Sequence, residues 1–215
     1  GGYSYQPLSE EELRYYDKNK ISLPSKEKIY TYSDGLCLYF DDNKLVQKNI
    51  NNLPVFSCNS SVVNDIENKK IYFFGGCYYD SYGFDTSKIS FNIEIGKLFY
   101  SLSYDENCNL IDESFTICEE FPGTSRHQSN LFKLDDYIYL IGGTASIKKI
   151  NKEKGYPEYT SANVIDNWKF SLKLKKWIRI SNTITPICNF KGINYNNKKI
   201  IFFGGIRYNI SVIDN

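Results

Sequence analysis

The chain repeatedly runs four apolar residues into a glycine pair: Ile71–Phe74 before Gly75-Gly76, Ile138–Ile141 before Gly142-Gly143, and Ile200–Phe203 before Gly204-Gly205. Another pair, Gly1-Gly2, opens the sequence. Ahead of the three runs lie the polar stretches Glu67-Asn68-Lys69-Lys70, Asp135-Asp136 and Asn196-Asn197-Lys198-Lys199, each preceded by a further strand-like segment. Asn, Asp and long polar side chains suit tight hairpin turns, so each unit predicts a hairpin. The runs are apolar without alternation, which predicts strands buried on both faces. A glycine pair ends such a strand where the backbone takes a conformation, or approaches a neighbour so closely, that a Cβ is forbidden. A chain that repeats one hairpin is assembled from similar sheets, none of which can bury its own faces alone.

A second pattern recurs downstream. Leu38, Phe91 and Phe170 are followed two residues later by Phe40, Ile93 and Leu172, then by Lys44, Lys97 and Lys176, with Leu45, Leu98 and Trp177 next in line. This reads as a strand with one buried face, a charged turn, and an apolar anchor opening the next strand. Two hairpins in series predict a four-stranded antiparallel unit.

The apolar run, the glycine pair and the paired anchors together resemble the kelch repeat. "SRHQSNLFKLDDYIYLIGG" from Ser125 and "NWKFSLKLKKW" from Asn167 carry the likeness best. The usual Tyr position of that repeat holds Leu38, Phe91 and Phe170, and its Trp position is aliphatic at Leu45 and Leu98. The resemblance implies an all-β fold, a partial kelch-type β-propeller of four-stranded antiparallel blades forming a single domain over residues 1–215. Residues 1–48 would end one blade and carry a helical insertion, 59–103 and 126–181 would be blades, and 188–215 would start a further one. Unrelated strands of a sandwich would not require the same anchor spacing. A ring needs about four to eight blades. With no Met and ends that fall inside recognisable phrases, the chain is expected to be a piece of something longer, the remaining blades coming from missing sequence or from another chain.

Charge and composition narrow the function classes. Lys and Arg number 26 against 25 acidic residues, so no basic footprint for nucleic acid is expected. No apolar run approaches the roughly 20 residues of a membrane span. Six cysteines without CxxC spacing predict free thiols in a reducing, cytoplasmic compartment rather than a zinc site or disulfide scaffold. The sequons at Asn59 and Asn209 are the observations that favour a secreted protein instead. His127 is the sole histidine, which leaves no metal pair and no Ser, His and Asp constellation, and predicts no catalytic residue, no metal and no cofactor.

Function is therefore sought on the loops. Residues 3–28 contain a capping box, Ser9 with Glu12, predicting a short helix near residues 10–17; residues 100–123 form an acidic insertion and 144–166 a lysine-bearing one. Arg126, Tyr78, Tyr79, Arg207 and Tyr208 are expected to line a face for a protein or peptide partner, since Tyr and Arg suit interfaces. The expected role is a non-catalytic interaction scaffold. Alternatives are a substrate-recognising or regulatory propeller in a ubiquitin ligase or phosphatase assembly, or a secreted carbohydrate-processing propeller.

Overall fold

The structure, a computed structural model, describes residues 3–7, 27–31, 35–41, 44–50, 59–76, 96–107, 109–111, 114–150, 157–183, 185–196, 198–208 and 211–212. Strand β1 (Tyr3–Pro7) pairs with β2 (Glu27–Thr31), and β3 (Gly35–Asp41) with β4 (Lys44–Ile50), both antiparallel. A four-stranded antiparallel sheet follows in chain order: β5 (Ser61–Asp65), β6 (Lys70–Phe74), β7 (Phe99–Ser103) and β8 (Thr116–Ile117). Next come β9 (Asn130–Leu134) and β10 (Tyr137–Ile141), a hairpin of β11 (Thr144–Ile150) and β12 (Pro157–Val164), then β13 (Asn167–Ser171) and β14 (Lys176–Ile180). Strands β9, β10, β13 and β14 make the second four-stranded sheet. The last pair is β15 (Lys191–Tyr195) with β16 (Lys199–Phe203), and β17 (Ser211–Val212) runs parallel to β12.

The expected hairpin turns form for the expected reason. Lys69, Asp135 and Asn196 each take a left-handed backbone, with φ of 48°, 47° and 54°. Asx and long polar side chains tolerate that region better than β-branched ones. What differs is the place of the glycine-ended strands within each sheet. From sheet to sheet it is β9 that packs against β5 and β15, so β5, β9 and β15 form the hub, and β6, β10 and β16 are second in line. Being second explains the continuous apolar runs. In the two complete sheets, β6 and β10 each have a strand on either side and pack their apolar side chains into the core.

One core joins the two complete sheets. Tyr72 and Phe74 of β6, Phe99 of β7 and Phe121 pack with Leu131, Ile138, Leu140, Phe170 and Trp177. The Trp177 ring meets Phe74, Phe99, Phe121 and Phe170 at centroid distances of 5.9, 4.9, 5.0 and 5.3 Å. Burying each such ring contributes about 2–3 kcal/mol. Trp177 thus anchors its strand as the spacing predicted, and Phe170 faces the same core.

In the preceding sheet the anchor spacing misplaced the third strand. Lys97 and Leu98 come before β7 rather than at the turn after it, while Phe91 and Ile93 lie outside the described residues. The third strand is Phe99–Ser103, where Phe99, Tyr100 and Leu102 are all buried and Tyr100 stacks on Phe73 at 4.8 Å. Residues 100–123 are consequently not only an acidic insertion, because they contain most of β7 and all of β8. Their loop character is confined to a turn in which Asp105 Oδ1 accepts the backbone N–H groups of Asn107 and Asn109. Residues 144–166, expected as a loop, instead form the β11–β12 hairpin, whose base is fixed by buried Ala145, Ala162 and Val164. The helix expected near residues 10–17 lies outside the described residues. No described helix is long and apolar enough to cross a membrane.

Candidate functional site

The glycine pairs make the joints between sheets. Gly75 and Gly142 have φ of 60° and 62°, and a Cβ on them would stand 2.4 Å from Arg126 O and 2.3 Å from Ile187 O. The backbone N–H of Gly76 donates to Arg126 O at 3.3 Å, and that of Gly143 to Ile187 O at 3.0 Å. Each pair therefore seats the lead-in of the next sheet directly on its backbone. One residue further along, His127 exchanges two backbone hydrogen bonds with Thr144, and Cys188 does so with Ile206.

The next residue begins the hub. Asn59, Gln128 and Asn189 hold equivalent places just before β5, β9 and β15, with φ of 57°, 56° and 50°. Gln128 N donates to Asn59 O at 3.0 Å and Asn189 N to Gln128 O at 2.8 Å, a backbone ladder that crosses from sheet to sheet. Side chains reinforce it. Ser61 Oγ and Ser129 Oγ are 2.7 Å apart, and Asn130 Nδ2 donates to Phe190 O at 2.7 Å. Lower down the hub, Lys133 Nζ reaches Glu67 and the buried Asp65 of the preceding sheet at 3.1 and 3.4 Å, and Asn194 Nδ2 donates to Lys133 O at 2.6 Å.

These lead-ins line a groove of about 310 Å³, bounded by Asn59, Ser60, Gln128, Asn130, Asn189 and Lys191 among others. Its walls offer amides and hydroxyls, groups that both donate and accept, with Lys191 supplying a positive charge. Neither a carboxylate nor an imidazole is among the lining residues. The described lining contains no acid or base besides the lysine.

Of the residues expected to meet a partner, Arg126 lies inside the protein, 1% exposed. Its Nη2 donates to Asp166 Oδ2 at 2.7 Å, its Nη1 to Asp166 O at 2.9 Å, and its Nε to Thr124 O at 3.0 Å, while the guanidinium lies 5.1 Å over the Phe121 ring. Trp168 Nε1 donates to the same Asp166 oxygen. The arginine thus ties its lead-in to the turn before β13. Arg207 is exposed and Tyr208 half-buried, the carbonyl of Tyr208 accepting from Asn163 Nδ2 at 2.9 Å. Tyr78 and Tyr79 lie outside the described residues. His127 is a joint residue, and burial pushes its ring down to about 4, so it is neutral near pH 7. Cys118 and Cys188 are free thiols that burial raises above the ordinary range. Among the described residues no three His, Cys, Asp or Glu side chains gather as a metal site.

Sequence reasoning missed the hub groove. The signal was present in "SCNSS", "RHQSN" and "ICNFK", three segments each with an Asn or Gln at its centre, two residues before β5, β9 and β15.

No protein-family profile matches the chain. Over 123 residues, 56% of its length, it is 28% identical to the N-acetylneuraminate epimerase of Vibrio cholerae serotype O1 (strain ATCC 39315 / El Tor Inaba N16961), of which the match spans 28%. The solved structure titled "Structure of YjhT" aligns with 73% of this chain and 36% of that one, at 20% identity and a TM-score of 0.50. A fungal alcohol oxidase in complex with copper aligns over 69% of the chain at 13% identity and a TM-score of 0.45, too low to bear on its fold or chemistry. With its four-stranded antiparallel sheets, the chain is an all-β partial propeller. The matched stretch amounts to less than a third of the curated relative's length. One expectation is overturned. The prediction of a non-enzyme does not stand, because the curated relative is an epimerase.

Proposed function

We propose that this chain is an arc of a kelch-type propeller belonging to an enzyme that acts on a sugar acid of the N-acetylneuraminate class, with the hub groove as its sugar-binding surface. Support comes from the sequence likeness to an N-acetylneuraminate epimerase together with the composition of the groove. The observation that carries the reading is the lining itself. Asn59, Ser60, Gln128 and Asn130 line the groove with amide and hydroxyl groups of the kind that hydrogen-bond sugar hydroxyls, and Lys191 suits a carboxylate. Proton transfer would need groups other than the described lining, so in this reading the arc holds the substrate and another part of the enzyme supplies acid and base.

The reading predicts that N-acetylneuraminate resonances broaden in proton NMR when the protein is added. Lys191 is exposed, so Lys191→Met leaves the fold intact and should weaken binding about tenfold, the scale of a charge-assisted hydrogen bond. Gln128→Ala should weaken it further. Absence of broadening with the unaltered protein, or broadening that neither variant changes, refutes the groove as the sugar site.

A further inference from the structure

Of the equivalent lead-in residues Asn59, Gln128 and Asn189, only the middle one carries the longer amide side chain. Asn tolerates the left-handed backbone of this place better than most residues. Gln128 takes the same conformation, with φ of 56°. Its side chain is fixed from outside the turn: the Thr144 hydroxyl donates to Gln128 Oε1 at 3.3 Å. Thr144 is fully buried, whereas Gln128 is half-buried and lines the groove.

The joint between sheets does not require this pair. Thr144 follows Gly142-Gly143, and the residue that follows Gly204-Gly205 is Ile206. Ile206 exchanges backbone hydrogen bonds of 2.8 and 3.1 Å with Cys188, and Thr144 exchanges bonds of 2.8 and 3.0 Å with His127. Isoleucine therefore serves the backbone as well as threonine does. What Thr144 adds is a hydroxyl, and the groove residue Gln128 receives its proton. A buried hydroxyl needs an acceptor, so Thr144 engages the carbonyl end of the Gln128 amide. The Nε2 end, which carries two N–H donors and no acceptor, is left for a ligand in the groove. Lys191, also in the lining, is likewise a donor only.

We propose that Thr144 is a positioning residue for the groove: it fixes Gln128 so that the amide nitrogen meets the ligand, and Gln128 with Lys191 thereby favours a carboxylate over a neutral group in its place. This deepens the reading of the groove as a sugar-acid site and rests on it. Thr144 is buried and acts through Gln128 rather than on the ligand. Because Thr144 opens β11, the foot of the β11–β12 hairpin sets which hydrogen-bonding group the hub presents.

NMR tests the assignment with the sugar and without it. In titrations with N-acetylneuraminate, Thr144→Val should weaken binding about fivefold, the scale of one neutral hydrogen bond, and Thr144→Ser, which keeps the hydroxyl, should restore it. In a Gln128→Ala background Thr144→Val should cost nothing further, since the two residues act as one unit. The unaltered protein should prefer the acid to its methyl ester, and Thr144→Val should narrow that preference. Without sugar, the Gln128 side-chain amide signals in a proton–nitrogen correlation spectrum should shift in Thr144→Val and stay in place in Thr144→Ser. An equal loss of affinity in the Gln128→Ala background overturns the proposal, because the hydroxyl would then act on the fold at large. So does a Thr144→Ser variant as weak as Thr144→Val, or a Thr144→Val variant whose amide signals do not move. Absence of sugar binding by the unaltered protein refutes the groove reading and takes the proposal with it; shifted amide signals in that case show that Thr144 anchors Gln128 and that the fault lies in the ligand assigned.

Discussion

Gly142 and Gly204 end the same motif and stand in opposite surroundings. At Gly142 a Cβ would meet Ile187 O at 2.3 Å, whereas at Gly204 it would meet nothing within 4 Å. Both have left-handed backbones, with φ of 62° and 66°. The strands leading to them differ likewise. Ile138 and Leu140 of β10 are fully buried, whereas Ile201, Phe202 and Phe203 of β16 are exposed. The comparison separates two demands on one sequence motif. The turn requires glycine wherever it occurs, but close approach is required only where another sheet's lead-in is seated on the pair. Burial of the run belongs to the neighbour, not to the run.

The joints can be broken selectively, and the largest effect is expected at Arg126, whose carbonyl packs on Gly75 and whose Nη1 reaches Gly142 O at 3.4 Å. Arg126→Ala should cost about 3–5 kcal/mol in urea unfolding, because it leaves Asp166 buried without its ion-pair partner. Stability unchanged within 1 kcal/mol would show that the ion pair does not hold the joint.

Gly142→Ala comes next, at about 3 kcal/mol or more, combining the strain of a left-handed alanine with a clash against backbone that cannot turn away. Gly204→Ala is its control and should show the strain alone, about 1 kcal/mol. Equal losses at the two sites would collapse the distinction between them.

Between those two magnitudes lies a pH effect confined to one joint. His127 and Cys188 occupy equivalent places, and only His127 titrates between pH 4 and 7. Burial pushes its ring from 6.5 down to about 4, so the unfolded chain binds a proton that the folded one refuses. The joint is therefore at full strength above pH 6.5 and weakens as pH falls toward 4, by up to roughly 3 kcal/mol. His127→Asn should flatten the difference between unfolding at pH 7 and pH 4.5 relative to the parent. An unaltered pH slope in the variant would place the acid sensitivity elsewhere.

Much of this was legible in the sequence because it depends on neighbours along the chain. The left-handed turns at Lys69, Asp135 and Asn196 follow from polar residues between two β-rich runs, and the anchor role of Trp177 from its place after Lys176. The third strand of the first complete sheet was misread for a definite reason. Phe91, Ile93, Lys97 and Leu98 repeat the anchor spacing, but Phe99, Tyr100 and Leu102 form a denser apolar stretch that packs on Phe73 and Phe74. Spacing cannot weigh a contact with a residue some 25 positions away. The groove was harder still, since Asn59, Gln128 and Asn189 look like ordinary loop residues until the ladder between sheets brings them side by side. Arg126 was read as a surface residue because its partner, Asp166, is 40 positions distant.

The sequence by itself determined where the repeated hairpins turn and that one hairpin is used repeatedly, because those features depend on backbone freedom and on side chains within a few residues of one another. Only the tertiary structure decided which strand lies at the hub, which glycine admits no side chain, and which polar groups share a groove. Those properties are set by atoms that the chain delivers from other sheets. An apolar run specifies that a face be covered; it does not specify by what.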